Sequence, residues 1–325
     1  MNGQGTGYCF GLHLSSLLTA VAALPLLLAG GTVTTFRWGM VDDTWPTSPW
    51  YLLANWSEAV ARGLAFVAEH GHRQLGWLVG GLTVVLACWT WLTAKQRHTR
   101  LHNWLALACL LGVGGQGLLG GLRVLYEVPI GRELAMLHGI VGQVVFGLLV
   151  AMAVALSASW LAGGTVAVRG RGKLLRLAML TIGLLLGQLV IGTWLRQVGG
   201  RASWPIVLHL VLAASILFHA ILLYVKAQML EPAAYRYLRW PSFWLAVLAG
   251  LQVLLGMGAW MLGAGDGGIS REIAPERALV ATAHMLTGAL LLAASAAAGL
   301  RIAHHLRETA TVTPTASPVA VGVEK

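Results

Sequence analysis

The sequence predicts an all-α integral membrane protein whose eight transmembrane helices form two pseudo-symmetric four-helix bundles. Three observations lead to this prediction. Hydrophobic residues make up 57% of the 325 residues and charged residues only 10%, whereas soluble domains carry about 25% charged residues. Apolar runs recur at the length of roughly 20 residues that a bilayer-spanning helix needs. Short sequence strings are also repeated between the two halves of the chain.

Eight apolar segments account for most of the chain. We expect residues 1–162 to form an N-terminal four-helix bundle and residues 163–308 to form a C-terminal one. Residues 309–325 are rich in Thr, Pro, Ala and Val, which is typical of a disordered tail. The segments have the approximate bounds 14–35, 70–93, 103–124, 135–161, 174–195, 204–227, 241–263 and 278–302.

Positive charge is distributed unequally between the two sets of loops. The loops after the even segments, together with the C-terminal tail, hold 13 basic and three acidic residues, whereas the opposite set holds nine of each. Because cytoplasmic loops carry the excess of Lys and Arg, we expect both termini in the cytoplasm. The net charge of +10 therefore reflects membrane orientation and does not indicate nucleic-acid binding. Four histidines among these basic residues are expected to be solvated or to face lipid headgroups: His98, His102, His304 and His305.

The repeated strings suggest a duplicated unit of four helices. QGLLGGLRVL (116–125) in the third segment resembles QVLLGMGAWML (252–262) in the seventh. LLLAGGTVTT (26–35) in the first segment resembles LVIGTWLR (189–196) in the fifth. Since four helices return the chain to the same membrane face, such a repeat would be parallel.

Four histidines are expected at one depth of these bundles: His72, His138, His209 and His284. Each lies about three to seven residues past the start of an even segment. At ~1.5 Å per residue, all four then lie within about 10 Å of the outer membrane boundary. A lone intramembrane histidine is commonly a hydrogen-bonding residue between helices, but four at one depth favour a ligand set.

The identity of the ligand depends on how these histidines group. Neutral imidazole binds iron, copper and zinc. A small tetrahedral metal site would need all four together, or thiolate and carboxylate partners, and the chain has no Cys-x-x-Cys motif. Two histidines facing each other across each bundle would instead match the axial ligation of haem iron. Glycines in the odd segments either make room for a flat macrocycle or allow close helix packing.

A carboxylate distinguishes one of the pairs. Glu69 shares a helix face with His72, whereas no acid precedes His209 in the same way. We expect Glu69 to donate or accept a proton in catalysis. The alternative is an ion pair with Arg73 or Arg62.

Further polar residues are expected near the outer ends of the segments. Arg73, Arg123 and Arg196 are candidates to hold haem propionates by charge-assisted hydrogen bonds, with interfacial snorkelling as the alternative. His70 points away from His72 on a helix, so it is expected beside the site without ligating the same metal.

Five stretches of the chain resemble the haem A synthase family. The Glu-x-x-His-Arg string is the most specific part, and the first outer loop departs from many bacterial members because it has no cysteine pair. The resemblance rests on EHGHRQLGWLVG (69–80), QGLLGGLRVL (116–125), AMLHGIVGQ around His138, WPIVLH (204–209) and ATAHMLTG around His284.

The resemblance implies an enzyme that oxidises the C8 methyl group of haem O to a formyl group, which gives haem A for cytochrome oxidase. It implies that His209 and His284 hold a resident haem b, and that His72, His138 and Glu69 form the site for haem O. The expected location is a bacterial plasma membrane. Candidate partners are the lipid bilayer, a haem O synthase and an electron acceptor. A quinol-linked b-type electron-transfer cytochrome and a haem carrier are the alternatives.

Overall fold

The computed structural model describes residues 8–42, 45–97, 100–198, 203–263 and 273–309. Within these ranges, eight helices are long and apolar enough to cross a bilayer. The prediction of an all-α membrane protein with eight spanning helices is therefore confirmed. The helices are α1 (Phe10–Thr35), α2 (Leu64–Arg97), α3 (Arg100–Leu125), α4 (Glu127–Ala155), α5 (Arg171–Val198), α6 (Ser203–Gln228), α7 (Pro232–Gly263) and α8 (Pro275–His305).

Most helices extend beyond the apolar segments that predicted them, whereas α4 ends at Ala155, before the expected end at 161. The shortest have 26 residues, or about 39 Å at 1.5 Å per residue, which exceeds the roughly 30 Å of a hydrocarbon core. Helix α7 begins nine residues before the expected start at 241 and contains Pro241. Helix α4 has a non-helical residue at Ile130. The predicted tail lies outside the described residues beyond Thr309.

Contacts between the long helices follow the same cyclic order in each half of the chain. Helix α1 packs on α2, α2 on α3, α3 on α4, and α4 on α1. Helices α5 to α8 contact one another in the corresponding order. The two sets meet where α8 packs on α1 and α4, and where α4 packs on α5. The domain bounds and the symmetry between the halves stay predictions.

Two buried apolar clusters lie inside these sets of helices. One includes Leu12, Leu86 and Phe146 of α1, α2 and α4. The other includes Leu223 and Leu245 of α6 and α7. The four histidines lie in the N-terminal halves of the even helices α2, α4, α6 and α8.

The outer loop between α1 and α2 is partly helical. Two short helices, Tyr51–Ala54 and Trp56–Ala61, precede α2 and pack against it. The loop therefore lies over the N-terminal end of α2, where Glu69 and His72 are found.

A short parallel sheet joins the ends of two long helices at the opposite end of the molecule. Strand β1 (Val166–Val168) pairs with β2 (Leu306–Glu308). The Glu308 carboxylate accepts hydrogen bonds from the backbone N–H groups of Gly170 and Gly172, at 2.6 and 3.0 Å. These bonds stabilise the charged form and so lower the pKa of Glu308.

The expectation that the inner histidines are solvated is wrong for two of them. His102 is 1% exposed and contacts the Ala155 carbonyl oxygen at 2.9 Å. His305 is fully buried and stacks on the Tyr237 ring, with 3.9 Å between centroids. Tertiary packing that a sequence pattern does not reveal buries both rings. His304 is exposed, and His98 lies outside the described residues.

Candidate functional site

The four histidines predicted as ligands form two pairs in the structure. His72 of α2 and His138 of α4, the first site, have ring centroids 6.3 Å apart. His209 of α6 and His284 of α8, the second site, have ring centroids 6.4 Å apart. In each pair the rings come from the second and fourth helices of their half of the chain.

Both separations suit one metal ion held between two imidazoles. A nitrogen-to-metal distance of ~2 Å on each side places the ring centres roughly 6 Å apart. The described ranges contain no group of three or more His, Cys, Asp or Glu side chains that could hold a metal ion. Two axial imidazoles are enough for haem iron, because the macrocycle supplies the other four nitrogens. The residues therefore fit haem better than a tetrahedral metal site.

Each imidazole packs against a glycine of the preceding long helix. A β-carbon built on that glycine would lie close to the imidazole Cε1 atom, so the helix backbone itself borders the ring. Small residues allow such close approach between membrane helices. The distances are 2.7 Å for Gly30 and His72, 3.6 Å for Gly120 and His138, 3.1 Å for Gly192 and His209, and 3.0 Å for Gly256 and His284.

In the first site, the residue four positions before the glycine contacts Nδ1 of the histidine. The Leu26 carbonyl oxygen lies 3.2 Å from Nδ1 of His72. Because a carbonyl oxygen only accepts, Nδ1 carries the proton and Nε2 keeps the lone pair that a metal requires. The Gln116 amide, in the orientation that satisfies its neighbours, donates to Nδ1 of His138 at 3.1 Å and accepts from the backbone N–H of Gly142.

In the second site, the corresponding residues are both glutamines, and they contact the other ring nitrogen. Nε2 of Gln188 lies 3.1 Å from Nε2 of His209. Nε2 of Gln252 lies 3.4 Å from Nε2 of His284. The Nδ1 atoms of both histidines are buried and have no hydrogen-bond partner within the described residues. Because an amide N–H only donates, Nε2 of each histidine is the acceptor and Nδ1 carries the proton.

Arg73 and backbone groups of the loop between α1 and α2 bind the Glu69 carboxylate at the N-terminal end of α2. We call Glu69, Arg73 and this loop the clamp. The Glu69 side chain is 5% exposed, and its carboxylate accepts a bond from the Arg73 guanidinium at 2.6 Å. The backbone N–H groups of Val41 and Met40 donate to the same carboxylate at 2.8 and 3.3 Å. The structure therefore contains the ion pair with Arg73, and the proton role of Glu69 stays a prediction.

Arg73 and His70 connect this clamp to the outer loop. Arg73 donates to the Asp42 carbonyl oxygen at 2.8 Å and to the Thr47 hydroxyl at 2.7 Å. His70 is fully buried and lies 3.0 Å from the Asp42 carboxylate. Its ring also stacks on Phe66, with 3.9 Å between centroids. The loop between α1 and α2 is thus fastened beside the first site, and His70 takes part in that contact.

The other two arginines have different surroundings. Nε of Arg123 lies 4.0 Å from the Glu127 carboxylate, and this buried atom has no hydrogen-bond partner within the described residues. Arg196 donates to the Gly31 carbonyl oxygen at 2.8 Å and to the Thr35 hydroxyl. It therefore joins α5 to α1, and its predicted contact with a propionate is not tested by the structure.

Local sequence patterns do not identify the residues that contact the histidine nitrogens. The signal is present as a Gln-x-x-x-Gly string in three odd helices, at 116–120, 188–192 and 252–256. Helix α1 has Leu26 and Gly30 at the same spacing. The strings of α3 and α7 were recognised as parts of a repeat, but a repeat alone does not show that these side chains face histidines.

Comparisons with known proteins show a family relationship over part of the chain. The chain matches the COX15-CtaA family, described as cytochrome oxidase assembly protein, over residues 38–206, which is about half of its length. The heme A synthase of Alkalihalophilus pseudofirmus is 30% identical over 118 residues, or 35% of this chain and 37% of that protein. The heme A synthase of Halalkalibacterium halodurans is 28% identical over 118 residues, with the same two shares.

The matched region spans little more than a third of these relatives' length. No solved structure matches the chain significantly.

Proposed function

Because this chain belongs to the COX15-CtaA family of cytochrome oxidase assembly proteins, we propose that it is a membrane haem A synthase. The reaction is oxidation of the C8 methyl group of haem O to a formyl group. The observation that carries the proposal is the presence of two histidine pairs, with rings 6.3 and 6.4 Å apart, in a chain similar to two proteins named heme A synthase.

The first site is proposed to bind the substrate haem O. His72 and His138 supply the two imidazoles, and the bond from His72 Nδ1 to the Leu26 carbonyl oxygen leaves Nε2 available. Glu69 lies one helical turn from His72 and is the proposed proton carrier. The clamp of Glu69, Arg73 and the outer loop limits the access of water to this end of α2.

The second site is proposed to hold a resident haem b between His209 and His284. When bound, this haem supplies one-electron redox chemistry. Gln188 and Gln252 orient the two rings, and Gly192 and Gly256 allow the neighbouring helices to approach them. No acid precedes His209 within α6, which supports an electron-transfer role for this site and a catalytic role for the first.

The overall change balances when water supplies the oxygen atom. The methyl group and one water molecule give the formyl group, four protons and four electrons. Glu69 is the proposed route for protons, and a haem held by His209 and His284 would supply the route for electrons to an acceptor in the membrane.

Arg123 is the best supported of the three candidates for a propionate contact. Its buried Nε atom has no hydrogen-bond partner within the described residues and lies 4.0 Å from the Glu127 carboxylate. Arg73 already donates to Glu69, Asp42 and Thr47, and Arg196 already donates to α1.

The protein spans the membrane several times. We propose the bacterial plasma membrane as its location, with both termini in the cytoplasm, since the excess of basic residues lies in the loops after even helices. A haem O synthase as the source of the substrate and an electron acceptor are the proposed partners.

Co-expression with a haem O synthase, in a host that makes no haem A, tests the function. Extracted haems are separated and identified by mass. We expect haem A together with the hydroxymethyl intermediate. Haem O alone, with haem B in both sites of the purified protein, would instead identify an electron-transfer cytochrome. A single, weakly retained haem would identify a haem carrier.

A further inference from the structure

Two successive glycines of α1 lie between the two histidine sites. A β-carbon on Gly30 would lie 2.7 Å from Cε1 of His72 in the first site. A β-carbon on Gly31 would meet the Met285 side chain and lie 2.9 Å from the methyl carbon of Thr282, both in α8. Successive residues of a helix point about 100° apart. Gly30 therefore faces His72 of the first site while its neighbour Gly31 faces α8.

The contact with α8 leads directly to the second site. Met285 follows His284 in the chain, so the residue that contacts Gly31 is covalently bonded to a proposed ligand of the resident haem. A continuous route of contacts and covalent bonds therefore runs from the His72 ring, through Gly30 and Gly31, to Met285 and His284.

Hydrogen bonds fix the position of this contact. The Gly31 carbonyl oxygen accepts from the Thr35 hydroxyl at 2.8 Å and from Arg196 of α5 at 2.8 Å. The Thr35 oxygen lies 3.2 Å from the Thr282 hydroxyl. Since the Thr35 proton is used on Gly31, Thr282 donates to Thr35. Thr282 is 3% exposed, so a polar contact between α1 and α8 is made in a nearly dry environment, where hydrogen bonds are strong.

We infer that this junction, made of Gly31, Thr35, Thr282 and Arg196, positions the two sites relative to each other for electron transfer between them. The inference rests on the proposed function, because it requires a haem in each site. With a haem held by each histidine pair, the step would transfer one electron at a time. The iron held by His72 and His138 would be oxidised, the iron held by His209 and His284 would be reduced, and no bond would form or break. The rate of this step falls steeply as the separation or mutual orientation of the sites changes.

The test uses two substitutions at Thr282 in the purified protein that holds both haems. Thr282→Val keeps the branched shape and removes the hydroxyl, and Thr282→Ser keeps the hydroxyl and removes the methyl group. The readout is the redistribution of an electron from the first site to the second after rapid photoreduction, followed by the separate absorbance or EPR signals of the two haems. Turnover is not the readout.

We expect Thr282→Val to slow the redistribution by about tenfold at unchanged haem content, and Thr282→Ser to stay close to the unsubstituted protein. Gly31→Ala should also slow it, because its β-carbon displaces α8. Gly250→Ala in α7 is the matched control, since a β-carbon there would have no neighbour within 4 Å. If Thr282→Val proves unstable, Gly31→Ala gives the result.

Unchanged redistribution in Thr282→Val and Gly31→Ala, with both haems bound, would overturn the inference. A protein that holds only one haem would overturn it as well. Failure of the proposed function looks different: haem O would not be oxidised, while electron redistribution between two bound haems would still depend on Thr282 and Gly31.

Discussion

The two histidine sites have nearly equal ring separations and different surroundings. In the first site, Nδ1 of His72 donates to the Leu26 carbonyl oxygen, and a clamped carboxylate, Glu69, lies one turn away. In the second site, glutamine side chains contact Nε2 of both rings, and the α6 residues before His209 contain no acid. The comparison supports our proposal that one scaffold holds two haem ligand pairs, with the residues around each pair setting its electron-transfer or catalytic role.

Removal of single histidine ligands should produce the largest effects. His284→Ala should abolish haem b binding, because the described residues near the second site offer no replacement imidazole. His138→Ala should leave haem b in place and lose the substrate haem. The haem content of each purified variant, measured by extraction, checks both. Loss of both haems in both variants would show that the sites do not bind independently.

Replacing Glu69 with Gln should separate catalysis from binding. We expect haem content to stay intact and turnover to fall by about 10²- to 10⁴-fold, the usual contribution of a general acid or base. Asp42→Asn is the matched control, because it removes a carboxylate from the same clamp without removing the proposed proton carrier. If Asp42→Asn abolishes turnover equally, the clamp and not the proton role explains the effect of Glu69.

Substitution of the residues that contact the histidine nitrogens should make the surroundings of the two sites more alike. Gln188→Leu removes the hydrogen-bonding partner of His209, and we expect haem b affinity to fall by about 10- to 100-fold, as for other groups that orient metal ligands. Leu26→Gln gives the first site the side chain found in the other three helices, and should change the spectrum of the substrate haem alone. Haem titration and EPR spectra report both effects.

Gln228→Leu, at an exposed position near the end of α6, controls for the change of residue type. Equal haem affinity in Gln188→Leu and Gln228→Leu would contradict an orienting role for Gln188.

Alanine at the four glycines beside the histidines should give a graded and smaller effect. The order of disturbance should follow the space available: Gly30 most, at 2.7 Å, then Gly256 and Gly192, and Gly120 least, at 3.6 Å. Crowding of this kind costs about 1–3 kcal/mol, whereas Gly120→Ala meets ordinary contact and gains helix propensity. Thermal unfolding in detergent checks the order, with Gly183→Ala as the control in open space. Equal unfolding temperatures for the four variants would mean that the histidine rings shift without loss of stability.

Sequence patterns were sufficient for the parts of the fold that depend on local composition. Apolar runs long enough to cross a bilayer predicted all eight helices. The position of one candidate ligand histidine in each even helix predicted a layer of ligands. The start of α7 was missed by nine residues, because Arg236, Arg239 and Pro241 are typical of a loop when read alone. In the structure, Pro241 lies inside the helix.

The contacts that make the two sites unequal could not be read from local patterns. The bonds from Gln188 and Gln252 to histidines join different helices, so they depend on helix rotation and register. The ion pair of Glu69 with Arg73 was foreseen as an alternative because the two residues are one turn apart. The backbone bonds from Met40 and Val41 were not foreseen, since the path of a long loop is not determined by composition. The same holds for the pairing of β1 with β2, which joins residues 140 apart in the chain.

The haems bound to the purified protein, after co-expression with a haem O synthase, test the central claim most directly. We predict about one haem B per chain, which His284→Ala removes, and a second, modified haem, which His138→Ala removes. The second should be haem O in Glu69→Gln and haem A or its hydroxymethyl precursor in the unsubstituted protein. Haem B as the occupant of both sites, unaffected by the presence of haem O, would contradict the claim that the first site binds a substrate.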